Sequence, residues 1–310
     1  MKVGLCLTFR KGINYGMQLQ ALATQKMLDK MGYETEIIDY NRTNYKHIRI
    51  TPFLLISLIN KRIKSIKNDK NNKEFAYINE RKIKATNFVK EYFHNIVRCD
   101  GIDELERIVL SYDAIIVGSD QLWGPDAVFG NFFTLRFVPD NINKISYATS
   151  MGVSRYPYYA RGSAKQFLKR INYISVREQQ ACDYLEKLIR CPIKVVLDPT
   201  YMLTETEWLD IIPYRNNTFG EYILCYFLGN KLKHKELARE FSDKTGLKIV
   251  SILSTESESS IDKTYADIVT DTAGPDEFIN LIRNARYILT DSFHGIAFSV
   301  INKKQFFAFY

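Results

Sequence analysis

Thr290-Asp291-Ser292-Phe293-His294-Gly295 joins the apolar run Tyr287-Ile288-Leu289 to a second apolar segment, Ile296 to Ile301. The pattern predicts strand, tight turn and helix. Side chains in such a turn stand at the carboxyl end of a parallel strand, where open α/β sheets bind their ligands. His294 can take or give a proton there near neutral pH. Asp291, three residues earlier, could orient that imidazole and favour its charged form. Gly295 lets backbone or ligand approach closely. The plainer reading of His294 is a buried, hydrogen-bonded side chain without chemistry.

Three further strand ends carry polar clusters of the same kind. Asn14-Tyr15-Gly16 precedes the first helix, where an amide side chain and free backbone N–H groups suit an anion. Asn14 could equally be an ordinary helix cap. In Gly118-Ser119-Asp120-Gln121-Leu122-Trp123 the polar side chains Ser119, Asp120 and Gln121 offer partners to sugar hydroxyls, and Trp123 an apolar plate for stacking. A polar turn with a core Trp is the other reading. Ser175-Val176-Arg177-Glu178 places Arg177 at a strand end, able to fork onto a phosphate or carboxylate, or simply to pair with Glu178 on the surface. His47, His94 and His234 lie in charged or amphipathic contexts and read as surface residues. Neither GxGxxG, GxxxxGK[ST] nor HExxH occurs, so no dinucleotide fingerprint, P-loop or metal motif is expected.

The elements that must hold these loops alternate along 310 residues. Apolar strand runs at 3–8, 34–39, 114–118, 144–148, 173–176 and 194–197 are separated by helical patterns at 16–31, 158–171 and 178–189. Pro213 and Arg215-Asn216-Asn217-Thr218 read as a linker. A second series follows: strands 222–228, 247–253, 287–289 and 305–310, and helices 231–245, 276–285 and 293–301. The expected fold class is therefore α/β, with two Rossmann-like domains facing a cleft. The domains are 1–212, carrying a basic helical insertion at about 46–110, and 213–310. The chain stops inside an apolar strand, which points to a shortened C-terminal domain.

With 46% hydrophobic and 25% charged residues, the composition excludes disorder. A net charge of +8 favours acidic partners without choosing among them. No recognised nucleic-acid motif is present, so nucleic acid is not an expected partner. Five scattered cysteines, an odd number without CxxC spacing, argue against a disulfide framework or zinc site and for a reducing compartment. Cys6 and Cys225 read as core thiols. No secretion signal or membrane-spanning run is visible. The amphipathic basic run 48–70 is expected to pack on the first domain, with peripheral contact to the inner membrane face as its alternative.

Five motifs taken in order resemble the polysaccharide pyruvyl transferase family. They are Asn14-Tyr15-Gly16 with Leu19-Gln20; Val117-Gly118-Ser119-Asp120-Gln121-x-Trp123; Val176-Arg177-Glu178; Leu197-Asp198-Pro199-Thr200; and Thr290 to Gly295. The resemblance implies a GT-B-like fold and transfer of the enolpyruvyl group of phosphoenolpyruvate onto sugar hydroxyls. It gives a pyruvate ketal and phosphate, with phosphoenolpyruvate as co-substrate and neither cofactor nor metal. The acceptor would be a sugar or lipid-linked oligosaccharide in cell-surface or exopolysaccharide synthesis, in the cytoplasm. His294 falls on the family's C-domain His. Ser292 stands where some members carry an Arg. Two other readings stay open: a GT-B-like glycosyltransferase using a nucleotide sugar, for which Glu277 could bind ribose, and a truncated, non-catalytic sugar-binding homologue.

Overall fold

A computed structural model describes residues 1–9, 14–41, 74–253 and 264–309. The elements run β1 (Lys2–Cys6), α1 (Tyr15–Lys30), β2 (Glu34–Asn41), α2 (Glu74–Tyr92), β3 (Ile96–Asp100), α3 (Ile102–Ile108), β4 (Ala114–Val117), β5 (Asn143–Ser146), α4 (Tyr158–Leu168), β6 (Tyr173–Val176), α5 (Gln179–Ile189) and β7 (Lys194–Val195). After these come α6 (Glu205–Ile211), β8 (Tyr222–Tyr226), α7 (Leu232–Thr245), β9 (Lys248–Ile252), β10 (Ile268–Thr270), α8 (Pro275–Asn284), β11 (Tyr287–Thr290), α9 (Phe293–Ile301) and β12 (Gln305–Ala308).

Two parallel sheets result. The first has the order β3-β2-β1-β4-β5-β6-β7, the second β10-β9-β8-β11-β12. Each winds outward in both directions from a pair of central strands, β1 and β4 in one, β8 and β11 in the other. Each sheet thus has the strand order of a Rossmann unit, with its crevice at the carboxyl ends of that pair. The central strands read as unbroken apolar runs because helices cover both faces: every residue of β4 and of β8 is buried. Helix α5 shows the local logic. It buries Ala181, Cys182, Leu185 and Ile189 on one stripe and stops at Arg190 in a left-handed conformation. Cys6 and Cys225 are fully buried, as their apolar surroundings predict.

The described residues within Met1–Phe9, Gln20–Lys70 and Phe93–Met202 form one compact unit; those within Arg10–Leu19, Asn71–Tyr92 and Leu203–Tyr310 form the other. This division differs from a simple cut at 212/213, for reasons visible in the contacts. The Arg81 guanidinium of α2 donates to the Leu253 carbonyl at 2.8 Å and to the Tyr15 hydroxyl at 2.7 Å. Lys84 pairs with Glu277 at 2.8 Å. These bonds tie the start of α1 and all of α2 to the second unit. The segment after Met202 follows them, since Trp208 packs edge-on against Phe298 and Arg283 donates to the Ile212 carbonyl. Of the basic region at 46–110, the described part therefore splits: α2 joins the second unit, while β3 and α3 belong to the first. The run 48–70 lies outside the described residues. Among the described residues, no helix is long and apolar enough to cross a membrane.

Candidate functional site

In the first unit, the loops after β4 and β6 converge on a buried carboxylate that sequence reasoning had not singled out as a site residue. Asp198 is 1% exposed. One oxygen accepts from the Ser119 hydroxyl at 2.6 Å and from Arg177 Nη1 at 3.1 Å. The other accepts from the Thr200 N–H and hydroxyl at 3.1 and 2.9 Å. Ser119 N–H in turn donates to Gln20 Oε1 of α1 at 3.1 Å. Arg177 Nε reaches Glu178 at 3.0 Å, and Nη2 stands 3.9 Å from Asp120. The Arg177 fork is thus directed at carboxylates of its own chain instead of lying open to a phosphate. One guanidinium among three carboxylates leaves a formally acidic, hydroxyl-lined surface, which suits hydrogen-bond donors such as sugar hydroxyls better than an anion.

Asp120 holds a backbone φ of 75°, a strained setting for a non-glycine residue, of the sort that clusters at binding sites. Gln121 is exposed and its amide lies over Gly152, leaving no room there for a Cβ. Trp123 corrects the expectation of a stacking plate. It is fully buried, donates from Nε1 to the Phe133 carbonyl at 2.9 Å, and meets Phe167 edge-on. It is a core residue that shapes the loop from beneath.

The second unit gathers the remaining candidates at the β8/β11 crevice. Thr290 Oγ1 donates to the Tyr226 carbonyl at 2.6 Å and accepts from Ser292 N–H at 3.0 Å, fixing the turn. Ser292 caps α9 by accepting from Gly295 N–H at 3.3 Å. A Cβ on Gly295 would meet Thr290 Oγ1 at 2.5 Å, so the predicted need for close approach is real. Asp291 spans the crevice: its carboxylate accepts from Leu228 N–H at 2.6 Å and Gly229 N–H at 3.2 Å, across on the β8 loop. Oδ2 also lies 3.8 Å from His234 Nδ1. His234 is 7% exposed and flanked by the rings of Phe227 and Phe309, so the surface assignment fails. Helix α7 turns that residue inward, onto the aspartate.

His294 is likewise buried, at 7% exposure, in the first turn of α9. Its ring lies against the backbone of Gly16, where a Cβ would overlap it. Tyr15 stacks on Phe278 at 4.7 Å and accepts from Arg81. Burial pushes its phenol up to about 12, against the opposing pull of Arg81. Asn14 is exposed and its Oδ1 accepts from Met17 N–H at 3.4 Å, the capping role. Asn14, Tyr15 and Gly16 therefore gather with Asp291, Ser292 and His294 in the second unit; Ser119, Asp120, Gln121, Arg177 and Glu178 gather in the first. Asp198, Thr200 and Gln20 sat inside the quoted motifs, and their strand-end or adjacent-helix placement was the signal available. Arg81 and His234 carried none, because only packing brings them in.

The profile of a family described as polysaccharide pyruvyl transferase matches residues 14–310. Among curated proteins, none matches the chain. Among solved structures, UDP-GlcNAc 2-epimerase from Methanocaldococcus jannaschii is similar, with a TM-score of 0.61 and 16% identity over 99% of this chain and 83% of its own. A putative UDP-N-acetylglucosamine 2-epimerase from Listeria monocytogenes gives 0.51 and 11% over 95% and 74%. An alpha-glucosyltransferase in complex with UDP gives 0.54 and 9% over 95% and 74%. At these identities the likeness is one of fold, the GT-B-like pairing of two Rossmann units.

Proposed function

The chain belongs to the polysaccharide pyruvyl transferase family, and from that premise we propose that it transfers the enolpyruvyl group of phosphoenolpyruvate onto two hydroxyls of a sugar acceptor. The observation that carries the reading is His294, buried at the crevice of the second unit on a turn fixed by Thr290 and Ser292. C3 of the donor gains a proton and becomes a methyl group, leaving cationic character at C2. One sugar hydroxyl adds to C2 and releases its proton. The C2–O bond to phosphate then breaks with its electron pair on oxygen, and the second hydroxyl closes the ketal, its proton leaving with phosphate. A single imidazole can deliver the first proton and collect a hydroxyl proton. His294 is assigned that role.

The anionic donor is assigned to backbone N–H groups around Asn14, Tyr15 and Gly16 and to the turn at Ser292. Arg177 is not given that task, because its fork is occupied by Asp198 and Glu178. Asp120 and Gln121 are assigned to acceptor hydroxyls. The five free thiols agree with a cytoplasmic reaction. A nucleotide-sugar donor is disfavoured by Glu277. Both its oxygens accept from Lys84 Nζ at 2.8 Å, and Oε2 also caps Gly274 N–H at 2.7 Å, so the carboxylate is committed before any ribose arrives.

The test is phosphate release from phosphoenolpyruvate with a panel of galactosyl and N-acetylmannosaminyl acceptors. Acceptor-dependent release that His294→Ala abolishes is expected. Release untouched by the substitution would keep the reaction and remove His294 from it. Absence of release, together with saturable binding of a UDP-sugar, would replace the reading with glycosyl transfer.

A further inference from the structure

Between Asn141 and Arg177 the chain carries seven cations and no carboxylate. Three of the seven are engaged: Lys144 and Arg170 meet Asp140, and Arg177 meets Asp198. The other four, Arg155, Arg161, Lys165 and Lys169, are exposed and form no ion pair among the described residues. Arg161, Lys165 and Lys169 follow one another at four-residue spacing along α4 and so share a face. The helix's other stripe, Ala160, Ala164, Phe167 and Leu168, is buried.

Exposed aromatic side chains occur in the same stretch of chain. Tyr158, in the first turn of α4, is 88% exposed, and Tyr159 is 38% exposed. Tyr173, at the start of β6, is 65% exposed. Beside the helix, Phe129 and Tyr159 lie nearly parallel at 6.3 Å and line a groove of about 520 Å³ with Lys165, Gln166 and Lys169. An ordinary solvated helix of this chain looks different. On α7, Lys233 pairs with Glu236, Arg239 with Asp243 and Lys244 with Glu240. The uncompensated charge of α4 is thus a local property and not a consequence of a basic composition.

We propose that the exposed face of α4 docks the first unit onto an anionic membrane surface. Long cationic side chains can lay their stems along the boundary and reach phosphate headgroups, while tyrosines occupy the interfacial layer. Charge complementarity, together with tyrosines that would otherwise be left in water, favours a lipid surface over a single-stranded nucleic acid. This surface shares no residue with the two clusters above or with the run 48–70.

The experiment is vesicle co-sedimentation of the full chain with phosphatidylcholine alone and with phosphatidylcholine mixed with phosphatidylglycerol. Binding to the anionic vesicles only is expected, and it should weaken as salt rises. Lys165→Gln with Lys169→Gln should weaken it about thirty-fold, given the usual contribution of each cation near such a surface. Tyr158→Ser should weaken it further without altering the salt dependence. Circular dichroism of each variant should match the parent, since these side chains are exposed. Equal binding to neutral vesicles, unchanged binding by the double variant, no binding at all, or tighter binding to a single-stranded RNA than to the vesicles would each overturn the proposal.

Discussion

Gly16→Ala isolates the contact between the first helix and the catalytic candidate. The new methyl group would overlap Nδ1 and Cγ of His294 and stand 2.6 Å from Cε1, where ordinary contacts begin at 3.4 Å. The neighbouring atoms need more room still, so the ring must retreat by about 1 Å. A displacement of that size in a group that moves a proton costs on the order of 10²-fold in rate, or about 2.7 kcal/mol of transition-state stabilisation. Local backbone preference runs the other way. Residue 16 lies inside α1, where alanine is favoured over glycine by roughly 0.5–1 kcal/mol. A loss of activity therefore cannot be put down to a weakened helix. The assay is acceptor-dependent phosphate release, with kcat and KM separated. A fall of about 100-fold in kcat is expected, with a folded protein whose stability to denaturant drops by about 1–3 kcal/mol, as at an overpacked buried position. Repeating Gly16→Ala in a His294→Ala background removes the ring that the methyl group would strike. That background is expected to lack activity, so the comparison is made on stability to denaturant: there Gly16→Ala should cost less than about 0.5 kcal/mol, so that nearly all of its destabilisation is coupling between the two positions. Undiminished activity of Gly16→Ala would refute the reasoning, as would an equal loss of stability in both backgrounds.

Arg177→Ala should leave the fully buried Asp198 side chain without its cation and cost about 3 kcal/mol of stability in a denaturant titration. Adding Asp198→Asn should restore part of it, and a double variant no better than Arg177→Ala would contradict the pairing. Asp291→Ala removes the acceptor for Leu228 and Gly229 N–H; amide exchange there should speed up roughly tenfold or more, as for a lost bond to a charged group. Unchanged protection would show that the β8 loop is held by other means. Burial raises the Tyr15 phenol from 10.0 to about 12. The neutral form is thus favoured more in the folded protein than in the unfolded chain, and the associated stability is whole below pH 10 and drains away as pH climbs towards 12. Denaturant midpoints across that window should fall for the parent and fall less for Tyr15→Phe; parallel curves would rule the group out.

What the sequence disclosed and what it hid divide along one physical line. Strands β4, β8 and β11 and helices α1, α5 and α9 follow from local periodicity, because a buried parallel strand must be apolar throughout and a covering helix must show a stripe. Strand β3 escaped, being a short edge strand of mixed residues, Ile-Val-Arg-Cys-Asp, in which no alternation survives. The strand–turn–helix course of Thr290 to Gly295 was legible, but not the bonds that tie its Asp291 to the Leu228 and Gly229 N–H groups of the β8 loop. Partners drawn from distant segments were not. Nothing in the sequence around His234 distinguishes a histidine facing solvent from one 3.8 Å from Asp291. Nor does the sequence show that Trp123 faces inward or that the Arg177 fork is already filled. These are outcomes of packing, and they change the chemistry that can be assigned. A cation committed to its own carboxylates cannot serve as a phosphate clamp without breaking a buried pair, at a cost that a bound donor would have to offset. The proton-transfer role assigned to His294 rests on a turn capped by Ser292 and on the close fit of Gly16 against the ring, and the second of these, too, is an outcome of packing.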